Sequence, residues 1–347
     1  MEPIISIRHL KTYFTTDAGV AKAVDDVSFD VPAGKTLALV GESGCGKSVT
    51  SLSIMRLIPD PPGRIVDGQI FLDGKDLLKM TDAAMRSVRG NAISMIFQEP
   101  MTSLNPVFRI GDQIGDTIRL HRHIGRAEAR AGTIELLRKV GIPNPAERVD
   151  NYPHQMSGGM RQRAMIAMAL ACHPSLLIAD EPTTALDVTI QAQILQLLKD
   201  LQADTGMAIL LITHDLAVVA ETADEVAIMY AGQIVEQASV EALFSDPKHP
   251  YTKCLFEAIP RADVSHRRLY SIKGQVPAAT DFPEGCRFHP RCPYVMDVCP
   301  KRVPTLALGT PDHPAACWLH DPDVMAAQGR PVGIPPDLPP SEEKSEP

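Results

Sequence analysis

A glycine-rich stretch near the start of the chain has the residue types and spacing of a phosphate-binding loop. Residues 41–48 read GESGCGKS and fit the pattern G-x-x-x-x-G-K-[ST]. Glycines let successive backbone amides wrap an anion, and the N-terminus of a following helix adds partial positive charge. The pattern predicts that Lys47 reaches the β- and γ-phosphates of a nucleotide and that Ser48 ligates Mg²⁺. The remaining residues expected to line the nucleotide are Gly41, Ser43, Gly44, Cys45, Gly46 and Val49.

Two acidic residues follow a later apolar segment and could supply the other half of the same chemistry. Residues 175–182 read SLLIADEP, an apolar strand pattern that ends in Asp180 and Glu181. The carboxyl ends of parallel strands meet at one edge of a sheet, so this strand would deliver both acids next to the phosphate loop. Asp180 is then expected to hold Mg²⁺ directly or through water, and Glu181 to polarise an attacking water molecule.

The elements that must position these residues alternate along the chain. TLALV (36–40) is a buried-strand pattern that runs straight into the glycine-rich loop, and residues 47–58 have a helical pattern. Further strand patterns lie at 4–10, 27–31, 64–78, 91–98, 175–180, 208–215 and 225–238, and helical patterns at 109–141, 157–172 and 188–206. Buried strands that alternate with amphipathic helices predict an α/β fold around a parallel sheet.

Composition and charge exclude several classes of protein. The 347 residues are enough for one large or two smaller domains, and 44% hydrophobic with 22% charged residues is ordinary for a globular chain. A formal net charge of −8 argues against nucleic acid as a partner. The N-terminus MEPIISIRHL lacks a secretory pattern, and no apolar run reaches about 18 residues. We therefore expect a cytoplasmic protein with at most peripheral membrane contact.

Four more stretches, taken with the first two, identify a family. They are FQEP (97–100), MSGGMRQR (156–163), TTALD (183–187) and THD (213–215). Their order resembles that of the ABC ATPases, in which such stretches form the Q-loop, the signature motif, the D-loop and the switch histidine. The resemblance covers residues 4 to about 240. It implies a P-loop NTPase core with an antiparallel β subdomain and a helical subdomain, here at about 99–172.

The resemblance implies roles for four residues in the chain's own nucleotide site. Phe14, or its neighbour Tyr13, would stack on the adenine ring. Gln98 would sense Mg²⁺ and the γ-phosphate and would connect the site to a transmembrane partner. His214 would hold the γ-phosphate and help to arrange the attacking water.

Other residues are implied to act on a second subunit. Ser157, Gly158 and Gly159, in the signature motif, would contact the γ-phosphate of ATP bound by a partner, and Asp187 would lie at the dimer interface. Phosphate would then be held by a helix N-terminus supplied in trans only when two subunits meet. The signature has Met160 where many members carry glutamine, and we expect this variation to be tolerated.

Two stretches are more specific within the family. QEPMTSLNP (98–106) and VEALFSDPKHPYTKCLFEAIP (240–260) resemble the oligopeptide and dipeptide importer subfamily. This implies an ATP-hydrolysing subunit on the cytoplasmic face of the cell membrane, docked on two transmembrane permease subunits. An extracytoplasmic substrate-binding protein would supply the peptide. A second ABC ATPase subunit is expected to complete a heterodimer.

Two alternative functions stay open from the sequence. One is a nickel or oligosaccharide importer of the same subfamily. The other is a soluble ABC ATPase that acts in translation or DNA repair. The second kind usually carries two ATPase units or a long coiled-coil insertion, and this sequence has one set of motifs and no long heptad run.

Cysteine is unevenly distributed along the chain. Four of the seven cysteines follow the spacing C-x5-C-x6-C-x17-C, at Cys286, Cys292, Cys299 and Cys317. Clustered thiols in a reducing compartment more often bind metal than form disulfides. Structural zinc sites usually use C-x2-4-C pairs, which are missing here, whereas irregular loops of wide reach suit a larger cluster. Some ATPases of the subfamily carry a four-cysteine [4Fe–4S] site with similar spacing. We therefore expect a [4Fe–4S] cluster, with Zn²⁺ or free thiols as alternatives.

The sequence divides into three parts. We expect an ABC ATPase nucleotide-binding domain at 1–244 and a small, irregular C-terminal extension with the cysteine site at 245–320. The tail, 321–347, is rich in proline and acidic residues and is expected to be disordered.

Overall fold

The strands of the protein form two main sheets. The computed structural model describes residues 2–98, 103–184, 187–258 and 272–333. Its strands are β1 (Pro3–Thr16), β2 (Gly19–Pro32), β3 (Thr36–Val40), β4 (Gly63–Leu72), β5 (Lys75–Asp76), β6 (Ile93–Ile96), β7 (Leu176–Asp180), β8 (Ala208–Thr213), β9 (Glu225–Tyr230), β10 (Gln233–Ser239), β11 (Gly309–Thr310) and β12 (His313–Pro314). An antiparallel sheet has the order β2-β1-β4-β5, and a larger sheet has the order β10-β9-β3-β8-β7-β6. The larger sheet is parallel except for β10.

The helices lie on both faces of the larger sheet. They are α1 (Lys47–Ile54), α2 (Asp82–Val88), α3 (Ile110–Arg122), α4 (Arg126–Lys139), α5 (Pro145–Arg148), α6 (Gly158–Ala169), α7 (Val188–Thr205), α8 (Leu216–Thr222), α9 (Val240–Ser245), α10 (Pro250–Glu257) and α11 (Pro322–Ala327). None of the helices in the described part of the chain combines the length and apolar character needed to span a bilayer.

The central strands are buried on both faces, which explains their unbroken apolar sequence. In β3, Leu37 and Leu39 pack toward the antiparallel sheet, while Ala38 and Val40 pack on the opposite face with α8 and the C-terminal extension. Because β3, β7 and β8 are parallel neighbours, their carboxyl ends share one edge of the sheet. The loops that follow these strands carry the candidate site.

Residues 109–141, predicted as one helical region, form two helices instead. α3 stops where His123 takes a left-handed conformation (φ 54°), and α4 starts after Gly125, which is extended. The stretch around His123 is therefore a boundary between two helices. The turn lets α3 and α4 fold back on each other, so that Ile114 and Leu137 join the same core as α6.

An aromatic cluster attaches the C-terminal extension to the larger sheet. Tyr230, at the end of β9, has its ring 4.6 Å from that of Tyr251 in α10 and 5.2 Å from that of Phe288. All three side chains are buried. Large aromatic rings in such tilted and edge-on arrangements supply both apolar burial and a defined geometry. The extension is thus packed on the sheet and not merely tethered to it.

A buried carboxylate in β10 binds two segments of the extension. Glu236, in β10, is fully buried and accepts hydrogen bonds from the amides of Lys248 (2.6 Å) and His249 (2.9 Å), from the Thr252 hydroxyl, and from His313 Nε2 (2.7 Å). Burial opposes ionisation of Glu236, but these hydrogen bonds outweigh it and lower the pKa of the carboxyl group. The HPYT stretch is therefore part of a structural junction.

Replacing Glu236 by glutamine is expected to lower the free energy of unfolding by about 2–4 kcal/mol, because an amide cannot accept from all these donors. The pKa of Glu236 is lowered in the folded state, so its contribution is present above the unfolded value of about 4.5 and is lost as pH falls. The difference between wild type and variant in urea unfolding should therefore shrink below about pH 4.5. Glu241→Gln, an exposed change on α9, is the control; equal losses in both variants would contradict the assignment.

The predicted disordered tail starts too early. Residues 322–327 form α11, whose first turn is capped by Asp321 accepting from the Val324 amide (3.0 Å). Met325 is fully buried beside Trp318 and Leu319, and this burial holds the helix in place. Disorder is therefore wrong for 321–333. The rest of the predicted tail, 334–347, and residues 259–271 of the extension lie outside the described residues.

Candidate functional site

The loop after β3 has a path that requires glycine at two points. A Cβ on Gly41 would overlap the carbonyl oxygen of Met229 in β9, and Gly46, at φ 112°, would place a Cβ against the carbonyl oxygen of Ala23. The loop is thus pressed against β2 and β9 as it turns into α1. Ser43 and Gly44, at the top of the loop, are exposed and open to an incoming anion.

Lys47 and Ser48 begin α1, where Lys47 contacts the preceding loop and Ser48 contacts the end of β7. Lys47 is only 6% exposed, and its Nζ donates to the carbonyl oxygens of Gly41 (2.7 Å) and Glu42 (3.0 Å). The Ser48 hydroxyl donates to Asp180 Oδ1 at 3.1 Å, across to the end of β7. The structure therefore brings together the serine and the first acid that the sequence proposed as Mg²⁺ ligands.

Asp180 is a buried carboxylate that accepts a hydrogen bond from the neutral hydroxyl of Ser48. It is 4% exposed, and burial raises its pKa, with the Ser48 hydrogen bond and nearby Lys47 acting in the opposite direction. A divalent cation beside it would favour the ionised form. Hydroxyl and carboxylate oxygens are the ligands that Mg²⁺ prefers in nucleotide sites, so the donor set fits this ion.

Glu181 is held by three side chains from three different loops. Its carboxylate accepts from Gln98 Nε2 (2.9 Å) and from the Thr184 hydroxyl (2.9 Å), and His214 Nδ1 lies 3.0 Å away. Burial opposes ionisation, but the hydrogen bonds from His214 and Thr184 outweigh it and lower the pKa of Glu181. Glu181 also has a positive φ of 46°, a conformation uncommon outside glycine. The residue is thus an oriented, ionised carboxylate at the sheet edge.

One hydrogen-bond partner of Glu181 was not predicted from the sequence. Thr184 was missed as a partner of Glu181; its position three residues later in a tight turn was the available signal. Of the Q-loop stretch, Gln98 is described, whereas Glu99 and Pro100 lie outside the described residues.

The candidate adenine-stacking rings lie on β1 and differ in their contacts. The Tyr13 hydroxyl donates to Asp25 (2.5 Å), and the Phe14 ring packs against Gly63, where a Cβ would collide with it. Both rings are half-buried. Both rings are candidates for stacking on a base.

The signature motif presents the start of a helix to solvent. Ser157 caps α6 by accepting from the amide of Met160 (3.3 Å), and both Ser157 and Gly158 are exposed. Gly159 faces inward, where a Cβ would lie 3.2 Å from Ile190 in α7. The motif thus offers free amides and a positive helix end on the surface of the chain.

The D-loop residue also acts as a helix cap. Asp187 is exposed and accepts from the Ile190 amide at 2.9 Å, which fixes the start of α7. The next residue, Val188, is 83% exposed. Ala185 and Leu186 lie outside the described residues.

The four cysteines of the C-terminal extension line one small cavity. The residues around it include Cys286, Cys292, Cys299, Cys317, Phe288 and Trp318. Burial raises the pKa of all four thiols, that of Cys286 to about 11 and that of Cys292 to about 12. Such thiols are neutral at pH 7 unless a bound metal displaces their protons.

Backbone amides point at the sulfur atoms of this cavity. The amide of Tyr294 donates to Cys292 Sγ and that of Met296 to Cys299 Sγ, each at 3.4 Å. Within the described ranges, however, no group of three or more histidine, cysteine, aspartate or glutamate side chains is arranged to hold a metal ion. The thiols share a cavity without forming a ready metal site.

Known proteins resemble the chain over most of its length. Residues 24–184 match the ABC transporter family, and residues 235–299 match the C-terminal region of oligopeptide/dipeptide transporters. A probable peptide ABC transporter ATP-binding protein of Sinorhizobium fredii is 53% identical over 316 residues, 91% of this chain and 94% of that protein. The dipeptide transport ATP-binding protein DppD of Bacillus subtilis is 50% identical over 321 residues, 92% of this chain and 96% of that protein.

A solved structure supports the fold. A dimeric ATP-binding cassette in a post-hydrolysis state, bound to ADP and Pi, is similar with a TM-score of 0.61 at 24% identity, over 68% of this chain and 98% of that one. The predicted α/β fold of the ABC ATPases is therefore confirmed. Together with the sequence matches over nine tenths of the chain, this shows that the protein belongs to the ATP-binding subunits of ABC transporters of the oligopeptide and dipeptide type.

Proposed function

We propose that this chain hydrolyses ATP and that hydrolysis drives the import of di- or oligopeptides through a partner permease pair. The observation that carries the proposal is the position of Glu181, an ionised carboxylate held by three side chains next to the Ser48–Asp180 pair. Phosphoryl transfer to water needs positioned charge more than covalent chemistry. Relatives named for dipeptide and oligopeptide transport support peptide as the cargo.

The phosphate side of the site is assigned to the first turn of α1. Lys47 would exchange its loop carbonyl partners for the β- and γ-phosphates when ATP binds. Ser48 and Asp180 would hold Mg²⁺, which offsets negative charge on the phosphates when bound. Phe14 or Tyr13 would support the adenine ring from β1.

The water side of the site is assigned to Glu181 and its partners. Glu181 accepts the proton of the attacking water as the oxygen bonds to the γ-phosphorus and the bond to ADP breaks. His214 and Gln98 hold this carboxylate now and would orient the γ-phosphate and the water. Gln98 is exposed, so it can also report the state of the site to a neighbouring subunit.

A second ABC ATPase subunit is proposed to complete the site. Ser157 and Gly158 lie exposed at the positive end of α6, and Asp187 lies exposed at the start of α7. A γ-phosphate held by a partner's lysine would satisfy the free amides of α6. ATP would then close the dimer and hydrolysis would release it. We propose a heterodimer with a related ATPase.

The permease contact is assigned to the helical subdomain. An open cleft of about 600 Å³ lies there, between α3, α4 and the loop before α3. Val107 and Phe108, in that loop, are 70% and 54% exposed. Exposed apolar side chains beside a cleft are typical of a protein contact. We propose that the subunit works on the cytoplasmic face of the membrane and that an extracytoplasmic binding protein delivers the peptide.

The test is transport by the assembled complex in vesicles. The chain, its permeases, its partner ATPase and the binding protein are reconstituted, and ATP turnover and uptake of labelled peptides are measured together. Peptide-stimulated turnover coupled to uptake supports the proposal. Turnover that responds instead to nickel or to an oligosaccharide, and not to peptides, would overturn the assignment of cargo.

We further propose that Cys286, Cys292, Cys299 and Cys317 hold a [4Fe–4S] cluster. Support comes from the convergence of four sulfur atoms on one cavity and from the backbone amides that donate to them. The present space is about 10 Å³, so the loops must move outward to admit a cluster. Zn²⁺ is the alternative that the same donors could bind.

Replacing Cys292 by serine is expected to remove bound iron and sulfide, because three thiolates and a hydroxyl bind a cluster far more weakly. Wild-type protein purified without oxygen should contain about four iron and four sulfide per chain and absorb broadly in the visible range. Cys172→Ser, a buried change far along the chain, is the control. About one zinc per chain without sulfide would refute the cluster and identify the alternative.

A further inference from the structure

Residues of the C-terminal extension bind the phosphate loop through an ion pair and a hydrogen bond. Arg291 makes a two-pronged ion pair with Glu42, at 3.0 Å (Nη1–Oε1) and 3.1 Å (Nη2–Oε2). The arginine side chain is 5% exposed and the glutamate side chain 28%. The hydroxyl of Tyr251 accepts from the Glu42 amide at 2.9 Å. One residue of the loop therefore has both its side chain and its amide held by the extension.

A second arginine of the same segment reaches the other end of the nucleotide site. Arg287 pairs with Asp25 and donates to the carbonyl oxygen of Ala231, while its guanidinium lies 4.0 Å from the centre of the Phe282 ring. The same Asp25 accepts from the hydroxyl of Tyr13, a candidate adenine-stacking residue. The extension thus contacts the site at both its base and its phosphate side.

Each arginine is the sequence neighbour of a cysteine of the shared cavity. Arg287 follows Cys286, and Arg291 precedes Cys292. A short turn joins them, with the His289 amide donating to Cys286 O (3.0 Å) and the Arg291 amide donating to Phe288 O (2.9 Å). The turn therefore carries two cysteines of the shared cavity and both arginines. A shift of the backbone at either cysteine would act directly on the neighbouring arginine.

We propose that Arg291 is a positioning residue for the phosphate loop and that it couples the cysteine segment to nucleotide binding. The inference rests on the proposed ATP site. A planar guanidinium paired through two hydrogen bonds fixes both the distance and the orientation of Glu42, which a flexible lysine could not do. Because coupling between two sites is reciprocal, ATP must also change the behaviour of the cysteine segment.

The first test is ATP affinity of Arg291→Ala within the assembled complex. We expect the Kd for ATP to rise about tenfold, because the loop loses the pair that orients Glu42. Glu42→Gln should weaken ATP binding in the same direction, and the double variant should be no weaker than Arg291→Ala. Arg302→Ala is the matched control, since Arg302 belongs to the same extension but stacks on Trp318, away from the loop. Arg291→Lys should restore affinity only in part.

The second test measures the effect of ATP on the cysteine segment. The rate at which Cys286 and Cys292 react with a maleimide is measured by mass spectrometry, with and without ATP, in protein as purified. ATP should slow labelling about fivefold in wild type and leave it unchanged in Arg291→Ala. A purely structural anchor would alter thermal stability but not this ATP dependence.

The outcomes separate this inference from the function it rests on. If wild type does not bind ATP, the proposed ATP site fails. If wild type binds ATP and Arg291→Ala binds it equally well, or if ATP leaves wild-type thiol labelling unchanged, the coupling is refuted while the ATPase assignment stands. Where the cysteines hold iron or zinc, the rate at which a chelator removes that metal, with and without ATP, replaces thiol labelling as the readout.

Discussion

Replacing Glu181 by glutamine is expected to lower the rate of ATP hydrolysis about 10²–10³-fold and to leave ATP affinity within about twofold. Glutamine keeps the size of the side chain and can still accept a hydrogen bond from Gln98. It cannot take a proton from water at neutral pH. The binding residues on α1 are untouched, so the variant should hold ATP and stay in a closed dimer.

The measurement is single-turnover hydrolysis together with ATP retention by the assembled complex. The pKa of Glu181 is lowered from its ordinary value of 4.5. The carboxyl group is therefore ionised at pH 7, and its titration should not limit activity at that pH. Thr184→Val removes one of the hydrogen bonds that lower this pKa. The acid limb of the pH–rate profile of this variant should therefore move to higher pH, and its rate of ATP hydrolysis should fall only a few-fold. More than a tenth of wild-type turnover in Glu181→Gln would show that another group takes the proton.

Sequence patterns were most informative where burial and local motifs agree. β3, β7 and β8 are short, wholly buried and mainly apolar strands that run into recognisable loop motifs, and their positions were predicted within a few residues. The first hairpin was only partly found. β1 and β2 extend over 3–16 and 19–32, but their outer halves, around Thr16 and Gly19, are exposed and carry no apolar alternation. Backbone hydrogen bonds between β1 and β2 form these outer halves, and the side chains there give no pattern from which they could be predicted.

The candidate site was predictable where one loop holds it and not where distant segments meet. Lys47 and Ser48 follow from a contiguous motif. The Arg291–Glu42 pair joins residues 249 positions apart, and the Glu236–His313 pair joins residues 77 apart. No sequence spacing predicts either pair, because only the tertiary fold brings the two residues of each pair together. The same reasoning explains why the four cysteines could be grouped from sequence while their common cavity required the structure.

Replacing Ser157 by aspartate is expected to lower ATP turnover of the assembled complex about 10²-fold without destabilising this chain. Ser157 caps α6, and aspartate caps helices as well as serine does. A negative charge at the N-terminus of a helix also interacts favourably with the helix dipole, so the thermal stability of the variant should be unchanged or slightly higher. The same charge would face the γ-phosphate held by the partner subunit and repel it. Stability and activity should therefore move in opposite directions.

Neutral caps separate the effect of charge from that of the hydrogen bond. Ser157→Asn keeps an acceptor for the Met160 amide and adds no charge, so its loss should be much smaller than that of Ser157→Asp. Ser239→Asp, the same change at the cap of α9, should leave turnover unchanged. ATP affinity of the isolated chain should be unaltered in all three, since α6 serves the partner's nucleotide. If Ser157→Asp instead weakens binding by the isolated chain, the signature acts within its own subunit and the proposed trans arrangement is wrong.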